Sequence, residues 1–239
     1  NSIGTYTNNI YIGYQAGYGD PAGGKGVSNV FIGNQSGYSN TTGLNNIILG
    51  NKAGFGNTSG SNNVMLGDLS GINNTSGLNN VFLGNNSGYN NESGSANVFI
   101  GNNAGFDLNG QTQNVFIGAN AGSDANGGNN NVFMGVQAGQ YHYSGDNNVY
   151  LGNNAGLGNN TFTGTSQRNV ILGDNAGKNV RNATDNVIIG HDAGFGDGTG
   201  ISGGANVVIG ESAGYNLTNG STNVFMGNEA GYNNEGGYI

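Results

Sequence analysis

The sequence predicts an all-β fold, a parallel β-solenoid (β-roll) of 13 coils. Three observations predict it: a composition hostile to helices, a short phrase that returns along the whole chain, and strand-forming residues inside that phrase. Of 239 residues, 50 are Gly and 48 are Asn, with one Pro and no Cys. Gly and Asn are poor helix formers, and both suit turns and left-handed backbone positions. Composition alone would also fit a disordered chain, which buries too little apolar surface to offset the entropy of ordering. Periodicity argues for order.

The phrase Asn-(Val/Ile)-x-(Ile/Leu/Met)-Gly-x-x-(Ala/Ser)-Gly occurs 13 times. Its first glycine stands at Gly13, Gly33, Gly50, Gly67, Gly84, Gly101, Gly118, Gly135, Gly152, Gly173, Gly190, Gly210 and Gly227. Nine of the 12 spacings are 17 residues, two are 20 and one is 21. Self-similarity at so short a period is the signature of a stacked-coil architecture. Residues 1–239 therefore read as a single array with a basic 17-residue repeat and no linker.

The opening Asn never varies: Asn9, Asn29, Asn46, Asn63, Asn80, Asn97, Asn114, Asn131, Asn148, Asn169, Asn186, Asn206 and Asn223. Two structural roles suit it, a ladder of stacked amides hydrogen-bonded along the array or a left-handed corner that Asn tolerates. A β-branched residue, a bulky residue and Ile, Leu or Met follow, which is a short strand closed by glycine. The small residue and second glycine, such as Ala53-Gly54, mark a tight corner. An aromatic ring often comes next, at Tyr18, Tyr38, Phe55, Tyr89, Phe106, Phe195, Tyr215 and Tyr232. A polar loop completes the coil, and the extra residues before Gly33, Gly173 and Gly210 fall in it. Seventeen residues are too few for a strand-helix-strand crossover, whereas they suit a coil whose strand pairs with the next.

Alternation along the strand gives an expectation about assembly. If Val30 and Ile32 face the interior, Phe31 faces out. The outward column is then Tyr11, Phe31, Ile48, Met65, Phe82, Phe99, Phe116, Phe133, Tyr150, Ile171, Ile188, Val208 and Phe225. Such a stripe exceeds the few hundred Å² of apolar surface a soluble monomer tolerates. It is expected to be an oligomer interface, with a homotrimer the simplest closed solution. Neither Asn1-Ser2-Ile3-Gly4 nor Gly237-Tyr238-Ile239 is a capping element, so a longer array or a head-to-tail filament is expected.

Other functions find little support. Thirteen acidic against five basic residues, a formal charge of −8, argue against nucleic acid as a partner. Apolar runs no longer than three residues exclude direct membrane insertion by a helix. Gly194-Phe195-Gly196-Asp197-Gly198 lacks the strand-helix context of a nucleotide site, so no cofactor is expected. The chain reads as non-enzymatic. Calcium is the one metal with candidates, Asp107, Asp124 and Asp197, although no calcium-loop motif surrounds them and solvated carboxylates are the preferred interpretation. Sequons at Asn40, Asn57, Asn74, Asn91, Asn182 and Asn216 suggest surface glycans on loops. The aromatic column either packs between coils or offers a carbohydrate platform. Ice binding would need a regular Thr-x-Thr row, and Thr41-Thr42 and Thr161-Phe162-Thr163 look irregular. Asp174, His191 and Glu211 each follow a first glycine and should form one column.

The phrases Asn-Val-Phe-Ile-Gly and Asn-Val-Ile-Ile-Gly resemble the repeats of YadA-like heads in trimeric autotransporter adhesins. They are also similar to Asn-Gly-rich shafts of phage tail fibres and bacterial surface proteins. The resemblance implies a left-handed, homotrimeric β-roll at the cell surface or outside the cell. The expected role is the structural rod of a fibre or adhesin, with a tail-fibre shaft, or an ice- or carbohydrate-binding solenoid, as alternatives.

Overall fold

The computed structural model describes residues 8–19, 26–125, 127–142, 144–159, 164–196 and 201–234. Among them all 13 elements are three-residue strands: β1 (Ile10–Ile12), β2 (Val30–Ile32), β3 (Ile47–Leu49), β4 (Val64–Leu66), β5 (Val81–Leu83), β6 (Val98–Ile100), β7 (Val115–Ile117), β8 (Val132–Met134), β9 (Val149–Leu151), β10 (Val170–Leu172), β11 (Val187–Ile189), β12 (Val207–Ile209) and β13 (Val224–Met226). Two compact units divide the chain, Asn1–Gln113 and Asn114–Ile239. In the first, β1 to β6 pair in parallel and in sequence order. In the second, β7 to β13 do the same. Each unit is a β-solenoid in which one repeat makes one coil.

Register holds through the long spacings, with Ile10 opposite Val30, Val149 opposite Val170 and Val187 opposite Val207. Much of the extra length, at 20–25, 160–163 and 197–200, lies outside the described residues, as do both chain ends and the Thr161–Thr163 cluster.

The glycines are set by contact. Gly50 has φ +141°, and a Cβ there would run into the Gly67 carbonyl of the next coil. At Gly54, φ +54°, a Cβ would stand 2.7 Å from the Ile48 side chain of the same coil. That second contact reveals the direction of the bulky strand residue. It points inward, over the corner glycine.

The alternation expectation is thus reversed. Phe31, Ile48, Met65, Phe82, Phe99, Phe133, Tyr150, Ile171 and Val208 are fully buried, Phe116 and Ile188 nearly so, and Phe225 is 4% exposed. Only Tyr11 is exposed, and it stacks on Phe31 at 5.1 Å. These residues are the core of each coil and cannot serve as an oligomer interface. Rings stack inside each unit as well, Phe82 on Phe99 at 5.2 Å and Phe133 on Tyr150 at 4.7 Å. Burying each such side chain contributes about 1.5–3 kcal/mol. The flanking residues, Val30 and Ile32 onward, face outward instead.

Candidate functional surface

Several columns of side chains could carry a function, two inside the coil and the rest outside. The invariant Asn builds the first. Asn46 accepts the Asn63 backbone N–H on Oδ1 at 2.9 Å, while its Nδ2 donates to the Gly60 carbonyl at 2.8 Å. The same pair of bonds recurs at Asn63 and Asn80, and in the second unit at Asn131, Asn169 and Asn206. Each amide satisfies a buried backbone donor of the next coil and a buried carbonyl of its own. The left-handed residue is the one before it, such as Asn45 at φ 56° and Asn62 at φ 60°. The ladder role therefore holds, and the corner role passes to the neighbour.

A second inner column stands seven residues after the first glycine. In the first unit it is Asn40, Asn57, Asn74, Asn91 and Leu108, all buried. Asn57 donates to Asn40 Oδ1 at 3.0 Å, Asn74 to Asn57 at 3.0 Å and Asn91 to Asn74 at 2.7 Å. Asn97 Nδ2 then donates to Asn91 Oδ1 at 3.2 Å, joining the two ladders. These four sequons are thus enclosed, against the expectation that they lie on exposed loops, and the folded coil leaves no room there for a glycan. Asn182 is exposed, and Asn216 donates to Asn233 at 3.0 Å. In the second unit the column includes Ala125, His142, Val180 and Leu217, each buried, together with the half-buried Asn159 and Asn234. His142 is enclosed between Phe133 and Tyr150, edge-on to both rings. Burial pulls its pKa down to about 4, against the raising effects of the Gly145 backbone and the Asp146 charge. Burial likewise pushes the Tyr150 hydroxyl up, partly offset by a hydrogen bond with Asn169.

Outside, the two rows flanking the core column are aliphatic in every coil, from Ile10 and Ile12 to Val224 and Met226. Most are half-buried by their neighbours, and Ile47 and Met134 are 45% and 41% exposed. Neighbouring outward columns are polar. After the first glycine, Asn34 donates to Asn51 and Asn51 to Asp68, both at 2.8 Å. His191 lies in that column as expected, with Nε2 3.9 Å from Asp174 and Nδ1 3.5 Å from Asp192. The Ser212 N–H donates to the His191 carbonyl at 2.9 Å, which keeps Glu211 in register.

The outer aromatic column stacks face to face. Tyr38 lies 4.7 Å from Phe55, Tyr89 4.7 Å from Phe106, and Tyr215 4.8 Å from Tyr232. Faces used this way are withheld from a sugar ring, which needs a flat surface to stack on. Thr41, Thr58 and Thr75 form a regular column that was not apparent in the loops, but each hydroxyl donates to the next coil's carbonyl at 2.8–2.9 Å. Of the calcium candidates, Asp107 accepts from Asn90 at 2.6 Å and Asp124 from Ser123 at 3.1 Å, whereas Asp197 lies outside the described residues. Among the described residues no three His, Asp or Glu side chains converge on a point, and no helix is long and apolar enough to cross a membrane. No family model, curated protein or solved structure matches the chain. The likeness to YadA-like heads and fibre shafts rests on the repeat residues alone.

Proposed function

We propose that this chain is a non-catalytic structural rod, part of an extracellular or cell-surface fibre or adhesin, that works by self-association. The outward aliphatic rows carry this reading. The outer aromatic column admits Ser123, Gln140 and Lys178, and the other outward columns admit polar residues as well, yet these two rows hold only Val, Ile, Leu or Met in all 13 coils. A solvated face has no physical reason to avoid polar residues so completely. Strands about 4.8 Å apart and about 10 Å long present on the order of 300 Å² in each unit. A standard interface takes roughly 800 Å² per partner, so the face of each unit would supply a substantial share of one. A second copy offers a matching aliphatic face, and sheets pack face to face about 10 Å apart. Three-fold symmetry and left-handed coiling follow from the resemblance and complete the proposal, with end-to-end stacking into filaments as its extension; a phage tail-fibre shaft would use the same face.

Sedimentation tests it. The chain should be an oligomer at micromolar concentration, and Val81→Lys with Val98→Lys should disperse it into folded monomers. A folded 24.2 kDa monomer of the unaltered chain would overturn the assembly.

A further inference from the structure

The outward aliphatic rows have two borders, and the charges on them are not alike. The leading border is the residue before each invariant Asn, and the trailing border is the residue after each first glycine. Over all 13 coils the leading border is charged only at Arg168 and Asp185, beside β10 and β11. The trailing border carries Asp68 beside β4, then Asp174, His191 and Glu211 beside β10, β11 and β12. Within one coil the signs are opposed. The β10 coil leads with a cation and trails with an anion, whereas the β11 coil leads with an anion and trails with an imidazole.

Contacts within the chain do not use these groups up. The side chains of Arg168, Asp185, Asp174 and His191 are 49–53% exposed. Arg168 donates to Asp185 from Nε at 2.6 Å and Nη2 at 3.0 Å, and from Nη1 to Gln167 at 3.2 Å. Two of the five guanidinium N–H groups are left over. His191 Nε2 is 3.9 Å from Asp174, beyond hydrogen-bond reach.

Copies related by rotation about the stacking direction bring the leading border of one against the trailing border of the next, each coil level with its equivalent. In that register Arg168 meets Asp174 of the neighbouring copy and Asp185 meets its His191, while Asp68 meets Asn62 and Glu211 meets Ala205. No like charges are opposed. A slip of one coil destroys the match in either direction, because Asp185 then meets Asp174 one way and Glu211 the other. A slip of two coils keeps a single opposite pair, Arg168 with Glu211, in place of two. Copies with opposed stacking directions bring like border to like border. They match Arg168 with Asp185 only when centred on β10 and β11, where the aliphatic rows overlap from β8 to β13 and those of the first unit stay bare.

We propose that Arg168 and Asp185, facing Asp174 and His191 of a second copy of this chain, are a charge key by which one copy fixes its register on the next. The inference rests on the self-association reading and adds which coil meets which. The aliphatic rows do not carry that information, since Val, Ile, Leu and Met recur in every coil and a slipped copy meets an equivalent apolar face. Opposed charges at an interface fix register and reject wrong alignments more than they add affinity. A carboxylate also accepts an N–H from a neutral imidazole, so the Asp185–His191 contact works in either protonation state of the ring.

A double-mutant cycle on the whole chain tests this. Arg168 and Asp174 stand on opposite borders of one strand, on the order of 15 Å apart, too far to couple within a copy. Coupling between them therefore reports a contact between copies. Arg168→Asp and Asp174→Arg should each raise the concentration at which the oligomer dissociates, read by sedimentation, by about tenfold, and the chain carrying both should return to within about threefold of the unaltered one. Should a reversed chain fail to fold, the neutral cycle of Arg168→Gln with Asp174→Asn decides, and it should show coupling of the same sign. An unaltered oligomer in which the two effects simply multiply overturns the key and leaves self-association standing. So does coupling of Asp185 to Asp174 or Glu211 in place of His191. A chain that stays monomeric at micromolar concentration overturns the self-association reading itself, and the key with it.

Discussion

The two units use the same backbone coil but fill one inner column differently. In the first, Asn40, Asn57, Asn74 and Asn91 run as an unbroken amide ladder that ends at Leu108; in the second, Ala125, His142, Val180 and Leu217 replace most of the amides, with Asn159 and Asn234 at other described places. The invariant Asn column shows no such freedom in either unit. The difference lies in what each amide bonds. Asn63 satisfies the Asn80 backbone N–H and the Gly77 carbonyl, so the main chain of neighbouring residues depends on it. Asn57 bonds Asn40 and Asn74 sideways, and the carbonyl it reaches, that of Gly60, also receives Asn46 Nδ2 at 2.8 Å. A buried amide that serves only its own kind can be exchanged for an aliphatic side chain as a column. One that serves the backbone cannot, because an orphaned buried donor or acceptor costs about 1–3 kcal/mol.

The largest effect expected from this contrast is at the invariant column. Asn63→Leu leaves the Asn80 N–H without a partner and takes from the Gly77 carbonyl the shorter of its two amide bonds, and should destabilise the chain by about 3 kcal/mol in denaturant unfolding. A cost below about 1 kcal/mol would mean that the backbone finds other partners and the distinction fails. The companion change at the second column, Asn74→Leu, leaves only Asn57 Oδ1 and part of Asn91 Nδ2 unmatched. It should cost about 1–2 kcal/mol, measured in the same way. If the two costs were equal, the column would be serving the backbone after all.

The smallest effect concerns the outer rings. In the first unit the stacked column is interrupted at Ile72, between Phe55 and Tyr89. Ile72→Tyr should join the two stacks and stabilise by about 0.5–1 kcal/mol. A loss of stability would show that the rings only fill space and that stacking along the column adds nothing.

Most of the architecture was legible in the sequence, and the error in it has a definite cause. Coil length, strand position and both corner glycines follow from recurrence, because a stacked coil must place equivalent residues on one another. Direction was not legible from Val30-Phe31-Ile32, since a strand apolar at all three positions carries no alternation to decide which face is inside. The deciding signal stood one residue earlier. Asn29 and Phe31 are two apart and share a face, and an amide that never varies over 13 coils is one committed to buried partners. The enclosed sequons escaped notice for a related reason. Asn-Thr-Ser after an aromatic ring looks like a loop tip, and only its alignment with Leu108, Val180 and Leu217 reveals that the Asn belongs to the core. His142 stands in that same alignment, where a histidine among Asn, Leu and Val is conspicuous.

The one-coil-per-repeat construction has a consequence for how such a gene can change. Tandem repeats are prone to slippage during copying, which removes or duplicates whole repeat units. In most proteins an in-frame loss of 17 residues would tear out part of a core. Here, within either unit, each coil bonds only to the coil before and after it, and Asn46 offers Asn63 the same partners that Asn63 offers Asn80. Removing one such block lets its neighbours meet across an equivalent surface, with the amide ladder unbroken. Length then becomes a trait that can drift in steps of about 4.8 Å, one coil at a time, without a new fold having to be found.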